Sequence, residues 1–571
     1  MADFTYTSDH ELQDLNAQVI ADPEEFEPWE KLVRAAEAQE GGLNRNSNPQ
    51  AIAATRDVYD RFLTRFPLFF GYWKKYADME FGIAGTEAAE MVYERGVASI
   101  SISVDLWANY CNFKTETNHD IDMIRELFER GAECVGLDFH AHPFWDKYLE
   151  FEERLDVGDK IFAILERIIR IPLHQYARYY ERYRILAQKR PIAELAPPEI
   201  IGRLSQDIES QAGPNMDKSA EVEAELRNRL YAIHNDIFQN TQAEVTQRWV
   251  YEQEIKRPYY HVTELDDTQL DNWRRYLDFE EETRDYARTK FLYERCLVTA
   301  ANYDEFWLRY ARWMLSQNGN KSEEVRNILQ RASYVFVSIS RPSIRLFWAK
   351  FEEAQDHADI AGDILEAVLM MLPGHLEAIL ALANLHRRKD GLGAGVATLN
   401  RFTEDRSLSP HIRGALIAEW ARMVADISGK PDEARKIYSN HQHQYLDCRP
   451  FWMKWFFFEI NQPAIGDAEQ KQHYTRVKAV YEAVRKISAL PTGTIKDLTA
   501  YYLAYLQERG PADVMKEIVD LDKEVNGPPS VQKGLKQQIV HDGSDGMVGS
   551  AMLLENGMAG AGFVESAAQF S

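Results

Sequence analysis

At 571 residues the chain is longer than one hydrophobic core can fill, so several domains or an extended array are required. Lys and Arg total 66 against 90 Asp and Glu, a formal net charge of −24, which disfavours a broad phosphate-gripping surface. The four cysteines (Cys111, Cys134, Cys296, Cys448) are scattered, with no CxxC pair and no metal-ligand spacing, as in a reducing compartment.

The opening MADFTYTSDHELQDLNAQ is acidic and lacks the basic and apolar regions of a signal peptide, and residues 1–19 read as a tail. No stretch reaches the roughly 18 consecutive apolar residues of a membrane span, so the chain is expected to be soluble, intracellular and without membrane contact. From residue 20 a pattern sets in: a Trp, an aromatic three residues on, a large apolar residue three further, then often Glu. It stands at Trp73-Tyr76-Met79-Glu80, Trp145-Tyr148-Phe151-Glu152, Trp273-Tyr276-Phe279-Glu280 and Trp452-Trp455-Phe458-Glu459, and more loosely at Trp107-Tyr110-Phe113 and Trp307-Tyr310-Trp313. Trp29 opens a further copy. Positions i, i+3 and i+6 share one stripe of a helix, so each copy is an amphipathic helix with an aromatic face.

About twenty residues after each Trp comes a second signature, an aromatic or Leu followed by Glu-Arg: Tyr93-Glu94-Arg95, Phe128-Glu129-Arg130, Leu165-Glu166-Arg167 and Tyr293-Glu294-Arg295. Variants are Tyr59-Asp60-Arg61 and Leu329-Gln330-Arg331, and Tyr481 joins the same core set. These second helices often end near a proline (Pro67, Pro172, Pro373, Pro491), which cannot continue them. The unit is a helix–turn–helix repeating every 34 to 38 residues, and a lone pair cannot bury its aromatic face whereas stacked neighbours can. The expected fold is all-α, helical hairpins stacked into a superhelical solenoid.

In chain order the first array covers 20–190 and ends in a basic run. Arg167, Arg170, Arg178, Arg182, Arg184, Lys189 and Arg190 face only Glu181 between 167 and 191. This is either a contact for RNA phosphates or an acidic partner, or a helix face neutralised by the acidic neighbour 150–159. Residues 191–216 hold four prolines and read as a loop or short insertion. A long helix over about 217–256 leads into the second array, to 525; within it the aromatic signature fades between 376 and 425, and Arg345 already stands where a Trp is expected. Residues 526–571, Gly- and Ser-rich, read as a disordered tail.

The recurring rings are expected in the core rather than as ligand boxes, and the Glu-Arg pairs as surface or inter-helix ion pairs. Gly391, Gly393 and Gly395 lack the preceding strand and following Lys-Ser/Thr of a phosphate loop, and His441, His443 and Cys448 lack a fourth ligand. No Ser-His-Asp, Cys-His or paired-carboxylate arrangement emerges, so no catalytic site, cofactor or metal is expected.

The Trp-x-x-Tyr-x-x-Phe-Glu helix followed by a Tyr-Glu-Arg helix resembles the HAT (half-a-TPR) repeat of RNA-processing scaffolds. The runs FPLFFGYWKKYADMEF (66–81), SISVDLWANYCNF (101–113), RPYYHVTELDDTQLDNWRRYLDFEE (257–281) and FLYERCLVTAANYDEFWLRYARWM (291–314) are similar to the pre-mRNA-processing factor 39 family, over roughly residues 20–520. The resemblance implies a non-catalytic nuclear scaffold of the U1 snRNP that bridges proteins at 5′ splice-site recognition. It further implies two HAT arrays and dimerisation through the C-terminal one, with itself or a paralogue, and RNA contact that is indirect or minor. The alternatives are a HAT scaffold of another complex, such as mRNA 3′-end cleavage, or a direct RNA binder using the 167–191 face.

Overall fold

The structure, a computed structural model, describes residues 10–211 and 220–528, all of it helix and turn with no strand. The chain divides into two compact units, with the boundary between Phe351 and Glu352. The first unit holds α1 (His10–Ala21), α2 (Phe26–Glu37), α3 (Pro49–Arg65), α4 (Phe70–Ile83), α5 (Thr86–Ser99), α6 (Val104–Thr117), α7 (Ile121–Val135), α8 (His142–Arg154) and α9 (Gly158–Ile168). It continues through α10 (Tyr176–Gln188), α11 (Pro198–Gln211), α12 (Ala220–Glu252), α13 (Asp267–Thr283), α14 (Tyr286–Thr299), α15 (Asp304–Leu315) and α16 (Ser322–Arg331), and the boundary falls inside α17 (Ser343–Ala354). The second unit holds α18 (Ala358–Met371), α19 (Leu376–Asp390), α20 (Leu392–Glu404), α21 (Pro410–Asp426), α22 (Pro431–His441), α23 (Arg449–Ile460), α24 (Asp467–Lys486), α25 (Thr492–Arg509) and α26 (Met515–Asn526).

Local chemistry sets the hairpins. Asp120 and Asp285 cap α7 and α14 by accepting backbone N–H bonds, at 3.0 and 3.2 Å in each case, which satisfies donors that the first turn leaves free. Several turns from first to second helix of a hairpin use one residue of positive φ. Gly85, Gly391 and Gly466 (φ 96°, 92° and 90°) are extended there in a way open only to glycine, while Asp156, Arg284 and Asp356 (φ 55°, 58° and 63°) carry a side chain at positive φ.

Two segments differ from the reading of the sequence as a tail and a loop or short insertion. Residues 10–21 are helical, and Leu12, Leu15 and Val19 are buried against the first hairpin. In the Pro-rich stretch Pro198 is the first residue of α11, where no backbone N–H is needed, so the prolines start a helix instead of breaking one. That stretch also does not divide two compact bodies. Thr241 of α12 donates to the Ile169 carbonyl (2.8 Å), Trp249 stacks on His174 (5.4 Å), and Arg65 donates to the Val335 carbonyl (2.9 Å). The residues 529–571 of the Gly- and Ser-rich tail lie outside the described part.

Candidate interaction surfaces

The side chains singled out from the sequence are brought together as a ladder that runs from repeat to repeat. Trp29, Trp73, Trp107, Trp145, Trp273, Trp307, Trp452 and Trp455 are all buried, as are Tyr76, Tyr93, Tyr110, Tyr148, Tyr276, Tyr293, Tyr310 and Tyr481. The leading indole N–H is anchored to the carbonyl of the turn before its helix: Trp73 to Pro67 (2.8 Å), Trp107 to Ser101 (2.7 Å), Trp307 to Ala301 (2.7 Å). The ring of each second helix lies flat on the ring three residues after the next Trp. Tyr59 stacks on Tyr76 (4.7 Å), Tyr93 on Tyr110 (5.0 Å), Phe128 on Tyr148 (4.7 Å), Tyr251 on Tyr276 (5.0 Å) and Tyr293 on Tyr310 (4.7 Å). Such offset ring pairs add to the area they bury.

The Glu-Arg signature has a function that its sequence position did not show. The two residues do not pair with each other. Four of these Arg reach back one repeat: Arg95 to Asp60 (2.8 Å), Arg130 to Glu94 (2.9 Å), Arg167 to Glu129 (2.8 Å), Arg331 to Glu294 (2.9 Å). The same acid accepts the next Tyr hydroxyl, Tyr110 on Glu94 (2.8 Å), Tyr148 on Glu129 (2.7 Å), Tyr310 on Glu294 (3.0 Å). The guanidinium meanwhile lies over the Trp of its own repeat, Arg95 over Trp73 at 5.5 Å and Arg167 over Trp145 at 5.3 Å. A second tie joins the Glu seven residues after Trp to an Arg of the preceding helix: Glu80 to Arg56 (2.6 Å), Glu152 to Arg125 (2.7 Å), Glu280 to Arg248 (2.6 Å), Glu459 to Arg435 (2.7 Å). In the repeat of Trp107 this tie is reversed in sign, Lys114 meeting Glu90 at 2.7 Å.

Arg345, in a leading Trp position, makes the same anchor with different chemistry. Its guanidinium donates to the turn carbonyls of Val337 (3.0 Å), Ser338 (3.2 Å) and Ser333. Burial, with no acid opposed to it, lowers its pKa.

The basic run is paired with acids, some on neighbouring helices and some three or four residues away along the chain. Arg167 belongs to the ladder; Arg178 pairs with Asp146 (2.7 Å), Arg182 with Glu153, Arg190 with Asp159 (2.8 Å) and Glu194 (2.7 Å), Arg170 with Glu166 (3.5 Å) and Arg184 with Glu181 (2.9 Å). Lys189 alone of the seven forms no ion pair among the described residues. Elsewhere, Gly391 starts α20 and Gly395 packs on Ala383 and Arg387, a close helix–helix turn. His441 bonds its own helix at the Ile437 carbonyl (2.7 Å), and Cys448 donates to the His411 carbonyl (3.4 Å). Among the described residues no group of three or more His, Cys, Asp or Glu is arranged to hold a metal ion.

Arg295, of the Tyr293-Glu294-Arg295 signature, makes the same backward reach but gains a second acid that the sequence did not signal. Arg295 is buried and meets both Glu252 (2.5 and 2.8 Å) and Asp138 (3.2 Å), so a residue of α14 ties the end of α12 to the turn between α7 and α8. Glu252 also accepts the Tyr276 hydroxyl (2.8 Å). Burial, the largest influence, acts to raise the Glu252 pKa, but Arg295 and Tyr276 outweigh it and hold the carboxyl below its ordinary value.

Buried rings stacked between successive hairpins, with ion pairs bridging one repeat to the next, define a HAT-repeat solenoid. Family models agree: the PRP39 N-terminal HAT repeat matches residues 13–185 and the PRP39 C-terminal HAT repeat residues 246–388. Pre-mRNA-processing factor 39 of Schizosaccharomyces pombe is 45% identical over 98% of this chain and 93% of its own length. The chain belongs to the pre-mRNA-processing factor 39 family. The U1 small nuclear ribonucleoprotein component PRP42 of Saccharomyces cerevisiae is more distant, 24% identical over 55% of this chain and 58% of that protein. Among solved structures, the crystal structure of CstF-77 shares the fold with a TM-score of 0.52 at 13% identity, over 86% of this chain and 92% of that one.

Proposed function

We propose that the chain is a non-catalytic nuclear scaffold that bridges proteins on the U1 snRNP early in pre-mRNA splicing, dimerising through its C-terminal array. The observation that carries this is the 45% identity to a pre-mRNA-processing factor 39 over nearly the whole chain, supported by the more distant likeness to a U1 small nuclear ribonucleoprotein component. The geometry agrees in kind: a stack of hairpins spends its rings on internal contacts and leaves long exposed faces for docking. The paired state of the 167–191 arginines favours protein bridging over direct RNA binding, because a guanidinium already held by a carboxylate releases few counterions from RNA. Affinity purification of the tagged full chain from nuclear extract, with the RNA sequenced, tests it: U1 snRNA is expected, and 3′-end cleavage subunits without U1 snRNA would overturn it. Light scattering on the purified chain reads the dimer.

A further inference from the structure

Inside the first unit, three turns and α14 enclose a cavity of about 390 Å³. Its walls are apolar, built from Phe70, Ile102, Val104, Pro143, Pro258 and Val298, and Tyr259, half exposed, stands among its lining residues. The polar residues that reach it include Ser103, Asp105, Asp138, His140, His142 and Arg295.

The charges in this space do not balance. The single Arg295 cation is shared between Asp138 and Glu252, so that knot is negative by itself. Asp105, exposed on the first turn of α6, has no ion pair or hydrogen bond among the described residues and adds a second uncompensated carboxylate. Partial desolvation of the carboxyl, and then the Asp138 carboxylate, raise the Asp105 pKa, the mark of a carboxylate lacking a counter-cation. His140 and His142 do not supply one, since burial, ahead of their charged neighbours, lowers both. Nδ1 of His142 is itself buried with no hydrogen-bond partner.

The starts of α6 and α8 also border the space, which raises the question of an anion. Ser103 already caps α6, accepting the Leu106 N–H (3.3 Å), and Pro143 in the first turn of α8 has no N–H to offer. An anion would meet two carboxylates without a free amide nest. The complementary ligand is a cation on an apolar stem. Arginine suits it better than lysine, because a planar fork of N–H donors can serve the Asp105 carboxylate and a neighbouring acceptor together, with Tyr259 offering a ring face.

We propose that this cavity is a receptor for an arginine side chain carried on an extended peptide segment of a partner protein. The site does not depend on which particle the chain joins, because its test uses the purified full-length chain alone. The probe is a fluorescein-labelled, capped pentapeptide Ala-Val-Arg-Val-Ala, compared with versions bearing citrulline or glutamate at the centre. Saturable binding of the arginine peptide is expected by fluorescence anisotropy, at least about tenfold tighter than citrulline, which keeps the shape and removes the charge. Asp105→Asn should weaken it by about tenfold and Tyr259→Ala by several-fold, both with unchanged melting curves since both side chains are exposed. No arginine-peptide binding at about 5 mM, equal binding of citrulline, indifference to Asp105→Asn, or preference for the glutamate peptide or inorganic phosphate would each overturn the assignment.

Discussion

Replacing Arg295 by Met removes the one cation between two buried carboxylates, at 5% and 6% exposure for Glu252 and Asp138, while keeping the side chain's length and apolar stem. Breaking a buried pair from one side costs about 3–5 kcal/mol, because the remaining charge stays buried and uncompensated. An array of this length does not unfold in one step, so the loss is best read locally, by hydrogen exchange of α12, α14 and the turn between α7 and α8. At about 1.4 kcal/mol per decade, amides there should exchange some two to three orders of magnitude faster at pH 7. The effect also has a sign in pH. In the native chain the lowered Glu252 pKa contributes stability above the ordinary carboxylate range, and this is lost as pH falls through the folded value. In the variant the Tyr276 hydroxyl is left to oppose burial at Glu252 without the cation, so the Glu252 pKa rises and its protonation relieves the penalty as pH falls below 7. The gap between the two proteins therefore narrows from both sides towards pH 4, and adding Glu252→Gln to Arg295→Met should recover part of it at pH 7. Unchanged exchange in α12 and α14, or a deficit that does not vary with pH, would refute the reasoning.

Trp145→Ala should cost about 3–5 kcal/mol locally, seen as faster exchange across α7 to α9; a wild-type melt would contradict its placement in the core. Lys114→Glu should destabilise by about 2 kcal/mol, and adding Glu90→Lys should restore most of it in a double-mutant cycle, since the tie works in either sign. Reversing Arg178, Arg182 and Arg184 to Glu should leave helix content by circular dichroism intact and change affinity for a single-stranded RNA oligonucleotide less than about twofold, with a shallow salt slope. Burial raises the pKa of Cys111, Cys134, Cys296 and Cys448, but only Cys134 is partly exposed; one fast thiol and three slow ones are expected with a disulfide reagent under native conditions.

The ring positions were legible because a helix repeats every 3.6 residues, so Trp73, Tyr76 and Glu80 declare a shared face within eight residues of sequence. The partners of the Glu-Arg signature were legible only in part. Arg95, Arg130 and Arg167 each meet an acid 35 to 38 residues earlier, a distance equal to the repeat, but adjacency in sequence invites the wrong pairing. Comparing charges one period apart would have found Asp60 with Arg95 and Glu94 with Arg130. The reach of Arg295 to Asp138 was not legible at all, since nothing local in either helix encodes how the arrays meet. The prolines around 191–198 misled for a different reason: a proline breaks a helix interior but is accommodated in its first turn, and sequence alone does not say which side of the boundary it occupies.

Where the rings fade, the ladder persists, and this separates two contributions that elsewhere coincide. Between α18 and α21 the core is mainly aliphatic, with Leu382, Ala383 and Leu399 buried where other repeats bury rings, and Phe402 of α20 a buried ring among them. Yet Arg401 still pairs with Glu366, 35 residues back, at 2.8 Å, and Arg388 with Glu353 at 2.5 Å. Arg401 still lies over a ring, that of Phe402 at 4.5 Å, but Arg388 covers none among the described residues, so the ion pairs do not require a ring beneath them. Being largely exposed, each adds under about 1 kcal/mol, too little to hold a repeat without the apolar contact beneath it. Their value is in register: an acid and a base placed one repeat apart are satisfied only when the next hairpin stacks without a slip, while apolar surfaces of Leu and Ala tolerate several offsets. The reversed Lys114–Glu90 tie makes the same point, since complementarity is kept there while both residue types change. A solenoid that fixes its register through nearest-neighbour charges can exchange rings for aliphatic side chains in some repeats and still keep its outer faces correctly spaced for the proteins that dock on them.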